Sequence, residues 1–302
     1  MKKIIVLSGP TASGKSQLAD TILHRFPSNI INADALQVYN ALPILTAQPS
    51  NNFDSSYKLY SFLDIQDKCS AALWLNYAKD EITKSHADNK LPIIVGGTGL
   101  YLKTLLYGLS EIPEISIKTK QSVQAKINDL GFERFYQELS TSDQFIASLH
   151  KNDQYRIIRA AEVLRQTGRS MNKFHQQNQS ILYDCLHIHL NPDRDTLYSA
   201  CNNRFVNMLI AGAVEEVREF NHKKSNEVYQ VEKAIGYQQI TDFLSGALTM
   251  IEATELTQQL TRNYAKRQYT WFRHQMLDKQ IISFVNYTEV ENEAISMIKH
   301  FI

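Results

Sequence analysis

Three cysteines in 302 residues, Cys69, Cys185 and Cys201, are odd in number and lack C-x-x-C spacing. That excludes a disulfide framework and a zinc knuckle, and it points to a reducing compartment. No apolar run approaches membrane-spanning length, and Met1-Lys2-Lys3 leads straight into the first apolar stretch. Neither a membrane partner nor a leader peptide is expected, and the expected location is the cytoplasm. Excess charge is missing too: the net charge is +1, so any signal for a nucleic-acid partner must be local. Repeats and low-complexity tracts are absent. What is present is an ordinary globular composition, 43% hydrophobic, with room for one large domain and a smaller insertion.

The chain is organised around Gly9-Pro10-Thr11-Ala12-Ser13-Gly14-Lys15-Ser16, which fills every fixed position of the phosphate-binding pattern G-x-x-x-x-G-K-[ST]. Ile4 to Leu7 ahead of it form a short continuous apolar run, as in a strand buried on both faces. Leu18, Ala19, Ile22 and Leu23 behind it recur at helical spacing. The loop's N–H groups and the helix dipole favour an anion, Lys15 adds a point charge, and Ser16 is a candidate Mg2+ ligand.

Further strands are expected at Ile30 to Ala33, Pro92 to Val95, Leu186 to Leu190 and Ile281 to Val285, with a helix over 71–87. In an open α/β sheet ligands bind beyond the carboxyl ends of the strands, so Asp34 faces the crevice of the phosphate loop as base or metal ligand, or else caps a helix. Residues 41–60, rich in Pro, Asn and Ser, read as a loop. Gly96-Gly97-Thr98-Gly99 closes the third strand; paired glycines permit an anion nest, and the Thr98 hydroxyl can donate to a phosphate or a reacting group. That strand carries no acid at its end, where many P-loop ATPases place one. From about 115 to 180 the pattern is helical without strands. Within it Lys151, Arg156, Arg159, Arg165, Arg169 and Lys173 outnumber Asp153 and Glu162. His187 and His189 share one strand face, as a metal pair or as satisfied core histidines. Arg204, on a helix, is either a phosphate clamp or a surface residue. A long helix over Thr257 to Met276 carries Arg262, Lys266, Tyr269 and Arg273 on one arc, which suits an RNA backbone with stackable bases.

The phosphate loop alone suggests a small-molecule kinase; the two basic surfaces suggest an RNA acceptor, bound with or without catalysis. GPTASGKS, INADALQVY, VGGTGLYLKTLLYGL, NDQYRIIRAAEVLRQTGRS, AIGYQQ with Gly246, and YAKRQYTWFR together resemble the tRNA dimethylallyltransferases over nearly the whole chain. The resemblance implies a P-loop NTPase-like parallel α/β core, residues 1–114 and 181–302, with an all-helical tRNA-binding insertion, residues 115–180. It implies transfer of a dimethylallyl group from dimethylallyl diphosphate to N6 of the adenine 3′-adjacent to the anticodon. Gly9 to Ser16 would hold the donor's diphosphate, with Mg2+ on Ser16. Asp34 matches the general base and Thr98 a residue lining the site; Arg204 would join Lys15 in neutralising the departing diphosphate. Implied tRNA contacts are Asp34, Ala35, Leu36, Gln37 and Thr98; Lys120, Tyr155, Arg156, Ile157, Ile158 and Arg159; Lys233, Gly236, Tyr237 and Gln238; and Lys266, Arg267, Gln268 and Arg273. The family's pattern differs at Ala35, usually serine, at Leu45 and Gln48 in what is commonly GTAKP, at Tyr60, usually histidine, and at Lys120, often arginine. A monomer is expected.

Overall fold

The computed structural model describes residues 2–49, 55–110, 112–175, 183–225 and 227–302. In chain order the elements are β1 (Lys2–Ser8), α1 (Lys15–Arg25), β2 (Ser28–Asn32), α2 (Pro43–Thr46), β3 (Tyr57–Lys58), α3 (Ala71–Ala87), β4 (Leu91–Val95) and α4 (Gly99–Tyr107). Next come α5 (Ile117–Leu130), α6 (Phe132–Ser142), α7 (Gln144–Ser148), α8 (Gln154–Thr167) and α9 (Met171–His175). The rest are β5 (Tyr183–Pro192), α10 (Arg194–Ile210), α11 (Ala213–Lys223), α12 (Tyr237–Leu244), α13 (Met250–Gln275), β6 (Gln280–Phe284) and α14 (Thr288–Phe301).

The chain divides into two compact units, Met1–Leu106 with Ile181–Ile302, and Tyr107–Ser180. In the first, the strands form one parallel sheet in the order β3-β2-β4-β1-β5-β6. Alternation along the strands sorts the side chains: Ile5 and Leu7 of β1, with Ile188 and Leu190 of β5, pack against Leu18 and Ile22 of α1 and Val290 and Ile298 of α14. Each such side chain, fully buried, is worth roughly 1.5–3 kcal/mol of transfer free energy. Register then fixes where the chain leaves the sheet. Leu7 and Asn32 both pair with Val95, so the turns after β1, β2 and β4 emerge side by side at one edge.

The second unit has its own core, including Phe135, Ile146, Ile157 and Val163. Its helices start where side chains take up free N–H groups: Ser116 accepts from Thr119, Asp143 from Ile146 and Asp153 from Arg156. α5 stops at Gly131, and α8 at Gly168 in the left-handed region. The unit begins eight residues before the expected boundary at 115, because the last residue of α4 already belongs to it.

Two expectations need correction. The stretch 41–60 is not plain loop: it holds α2, whose first N–H groups, Ile44 and Leu45, donate to Glu216 at 2.7 and 2.9 Å, and the short strand β3; positions 50–54 lie outside the described residues. The long basic helix begins at Met250, seven residues early, because Thr249 and Glu252 form a capping box there.

His187 and His189 lie on one face, as alternation requires, and both are buried. Their Nε2 and Nδ1 atoms share the hydroxyl of Ser8 at 2.7 and 2.8 Å, which makes them core residues rather than a metal pair. Burial pushes them down to about 4 and about 3, with Lys279's charge adding to both. Protons therefore favour the unfolded chain, in which histidine titrates near 6.5. The pair's contribution is complete above pH 6.5 and is lost as pH falls toward 4, by about 1–2 kcal/mol per histidine at pH 5. Urea midpoints should fall between pH 7 and pH 5 in the wild-type protein and fall less in His189→Gln; parallel pH profiles would show that the pair does not titrate on unfolding.

Candidate transfer site at the strand ends

The phosphate loop is shaped by contacts from distant parts of the chain. Gly14 adopts φ +85°, and a Cβ there would sit 2.4 Å from the Tyr287 ring, whose hydroxyl donates to the Gly14 carbonyl at 3.0 Å. The first bond of α1 runs from Leu18 N–H to Gly14 O, so the N–H groups of Lys15, Ser16 and Gln17 are left for another acceptor. Lys15 Nζ folds back on its own loop, donating to the carbonyls of Gly9 at 3.0 Å and Pro10 at 2.6 Å. Burial first, and then the nearby Arg204 charge, lower Lys15 to about 7 against the attraction of Asp34.

Asp34 stands at the end of β2. Its N–H donates to Asn32 Oδ1 at 2.9 Å, and its own Oδ1 accepts from Leu36 N–H at 2.9 Å, an Asx turn rather than a helix cap. Oδ2 has no hydrogen-bond partner among the described residues. Arg204, half-buried on α10, likewise donates to no group among the described residues, and its charge faces Asp34, Cys201 and Tyr264.

Two cavities meet at these residues. The larger, about 800 Å³, is lined by the loop from Thr11 to Gln17 and by one face of α10, Ala200, Asn203, Arg204, Asn207, Met208 and Ala211. The smaller, about 320 Å³, is lined by Leu36, Leu45, Lys233 and Arg267 among others. Thr11, Asp34, Arg204, Met208 and Tyr264 line both. One cavity is thus built for an anion, the other has cations near Leu36 and Leu45, and a carboxylate and a guanidinium stand at their junction. Ser16 is exposed on the wall of the larger cavity, and its hydroxyl has no protein partner among the described residues. Among the described residues no group of three or more His, Cys, Asp or Glu side chains is placed to hold a metal. A cation here would need the anion's own oxygens as ligands, as Mg2+ at phosphate sites has.

Several residues expected to serve the site have other tasks. Gly96 and Gly97 are not an anion nest, which needs left-handed backbone that neither adopts. They allow close packing: a Cβ on Gly96 would lie 2.1 Å from the Ala33 carbonyl oxygen, and one on Gly97 2.4 Å from Gln268 Nε2. Thr98 lines neither cavity; its hydroxyl accepts from Ala35 N–H at 2.9 Å, so it braces the turn that carries Asp34. Gln268 is buried, with both amide atoms bonded within the protein. Tyr237 is buried and donates to Asn221, and Gly236 packs on Leu45, Phe205 and Thr257. Ile157 is fully buried in the helical unit's core, and Ile158 packs against it. Each of these satisfies a polar or apolar requirement inside the fold; Thr98 and Ile158 are half-buried, the others buried.

The remaining expected contacts are accessible. Lys266, Tyr269 and Arg273 are exposed on α13, whereas Arg262 donates to Asn202 at 2.6 Å. Arg267 lies over the Tyr264 ring, Lys233 donates to Gln230, and Gln238 to Asp242. Ala35, Leu36 and Gln37 are half-buried beside Asp34, and Gln37 ties down the Thr46 and Ala47 carbonyls. In the helical unit Lys120 is exposed and Tyr155 is 83% exposed. Arg156 and Arg159 make only long pairs with Asp153 and Glu162, at 3.4 and 3.3 Å. Sequence reading missed Tyr264, Asn203, Asn207 and Met208. The signal was there: Asn203, Asn207 and Met208 lie within four positions of Arg204, and Tyr264 and Gln268 are four apart.

Comparison with known proteins gives a consistent match. Residues 37–275 fit the model of a family described as IPP transferase. The chain is 40% identical to the tRNA dimethylallyltransferase of Rickettsia bellii, covering 94% of this chain and 92% of that one. Its fold is similar to the full-length tRNA isopentenylpyrophosphate transferase of Bacillus halodurans: TM-score 0.72, 29% identity, 99% and 96% of the two chains. It is similar in fold to a eukaryotic dimethylallyltransferase solved while acting on tRNA, with TM-score 0.87, 24% identity, and 100% and 79% coverage.

A lysine lowered to about 7 by burial regains its proton when an anion meets it. Binding of inorganic diphosphate at pH 8 should therefore put a proton on Lys15, so the number of protons exchanged with buffer should differ between the wild-type protein and Lys15→Met. Calorimetry in buffers of different ionisation enthalpy measures this, and the same proton balance in both would mean Lys15 is already charged in the free protein.

Proposed function

The chain belongs to the IPP transferase family, and from that premise we propose that it transfers a dimethylallyl group from dimethylallyl diphosphate to N6 of the adenine 3′-adjacent to the anticodon in tRNA. The observation that carries this reading is the junction itself: Asp34, Arg204, Thr11, Met208 and Tyr264 line both an anion-binding cavity and a second cavity beside Lys233 and Arg267. A small-molecule kinase has no need of the basic helix faces.

In the proposed reaction the donor's diphosphate sits against the N–H groups at the start of α1, Lys15 and Arg204. The target adenine, unstacked at a cost of a few kcal/mol, enters from the side of Leu36 and Arg267. Its N6 amine is a weak nucleophile because its lone pair is delocalised into the ring. As the N6–C bond to the allylic carbon forms and the C–O bond to diphosphate breaks, the N6 proton passes to the free Oδ2 of Asp34. The electron pair of the broken bond leaves on diphosphate, where Lys15 and Arg204 meet the charge it gains. Ser16 Oγ would hold a Mg2+, which would supply further charge neutralisation on the leaving group. Thr98 and Asn32 keep the Asp34 turn in place. Exposed Lys266, Tyr269 and Arg273, and Tyr155, Arg156, Arg159 and Lys120 in the helical unit, are the proposed backbone and base contacts. We take a monomer as the working form, and the substrate tRNA accords with the cytoplasm. No helix among the described residues is long and apolar enough to cross a membrane.

Incubation with bulk tRNA and labelled dimethylallyl diphosphate, beside labelled ATP, tests the reading: label should enter tRNA from the first donor only. Asp34→Asn should reduce single-turnover transfer by on the order of 10²-fold or more while tRNA affinity stays within a few-fold; full activity would remove it as the base. Arg273→Glu and Arg159→Glu should each weaken tRNA binding and lower the slope of log affinity against log salt by about one unit. A slope that does not change would place those cations off the RNA.

A further inference from the structure

Gln268 is marked by the resemblance as a tRNA contact, yet its surroundings assign it another task. It lies on the inner side of α13 and is buried. Its Oε1 accepts from the N–H of Thr11, in the phosphate loop, at 2.8 Å. Its Nε2 donates to the carbonyl of Gly97, in the turn after β4, at 2.9 Å. One partner can only donate and the other can only accept, so the amide has a single orientation. No other side chain type of this length supplies both an acceptor and a donor. The fit is close on the Gly97 side as well, since a Cβ there would lie 2.4 Å from Nε2.

The consequence reaches the anion cradle. Thr11 lines both cavities, and the N–H it gives to Gln268 is withheld from any anion. The strut therefore fixes the loop's first turn rather than adding to its binding groups. Without it a half-buried N–H loses its acceptor, and the loop is free to turn that group toward the cavity or to collapse on Lys15, which already bonds to the carbonyls of Gly9 and Pro10. We propose that Gln268 is a positioning residue for the phosphate loop: through Thr11 and Gly97 it sets the geometry in which diphosphate binds, and it does not read tRNA. The proposal rests on the reading of this cavity as the donor diphosphate site.

Gln268→Met keeps the volume and removes both bonds. Gln268→Glu keeps the acceptor for Thr11 but sets a carboxylate oxygen against the Gly97 carbonyl. The probe is inorganic diphosphate, titrated by calorimetry into the full chain in the absence of tRNA, with thermal melts confirming that each variant is folded. Diphosphate Kd should rise about tenfold in Gln268→Met and further in Gln268→Glu. In transfer assays the KM for the donor should rise likewise, with tRNA Kd within twofold of wild type and kcat at saturating donor changed less than KM. Wild-type diphosphate affinity in the folded Met variant would overturn the positioning role alone, as would a rise confined to tRNA Kd. If the wild-type protein itself binds no diphosphate, the donor-site reading falls, and the positioning role falls with it.

Discussion

Lys15 and Arg204 share the site with Asp34, and burial draws the lysine and the guanidinium out of bulk water. Burial alone lowers both Lys15 and Arg204 from their usual values, and each charge opposes the other. Asp34 offsets part of this, but its Oδ1 is already engaged with Leu36 N–H. Lys15 Nζ turns back onto the loop carbonyls, and the N–H groups left open at the start of α1 add a positive dipole end beside it. In the proposed reaction these groups would meet the charge that diphosphate gains as the allylic C–O bond breaks.

Such a charge arrangement needs rigid supports, and the parallel sheet provides them. Leu7, Val95 and Asn32 stand at one level, so the loop after β1, the turn after β4 and Asp34 after β2 are neighbours without any long connection. The supports that lock them come from far along the chain. Tyr287 packs under Gly14, Gln268 ties Thr11 to Gly97, and Thr98 holds the Ala35 N–H. Each bond satisfies a backbone group that would otherwise be free to move toward the anion.

The sequence makes the strand-loop-helix unit, the parallel sheet class and the helical insertion legible, because all three rest on local periodicity and on one strict motif. Ile117 to Leu130 with its Gly131 stop is read to the residue, since capping is encoded within a few positions. What was not legible depends on contacts between distant segments. Nothing near Gly96 and Gly97 indicates that Ala33 and Gln268 fill the space where side chains would be. That the Thr98 hydroxyl accepts from Ala35 N–H, and so braces the neighbouring turn, was not legible either. The cavity face of α10 was visible only as a lone Arg204, because its other members are small, amide or thioether side chains without charge.

The stretch from Tyr264 to Arg273 shows why a motif cannot be read as one surface. At 3.6 residues per turn, ten consecutive residues pass almost three times around a helix, so they cannot all face the same partner. Ala265, Gln268 and Phe272 are buried, Tyr264 lines the cavities, and Lys266, Tyr269 and Arg273 lie outside. One helix therefore presents charge and an aromatic ring outward while its inner side holds the loop that carries the phosphate-binding pattern. Substitutions on the two sides act on different quantities: outer ones on the salt-dependent attraction of a polyanion, inner ones on the shape of the phosphate loop. The physical meaning of each residue in the motif follows from its angle around the helix, not from its place in the string.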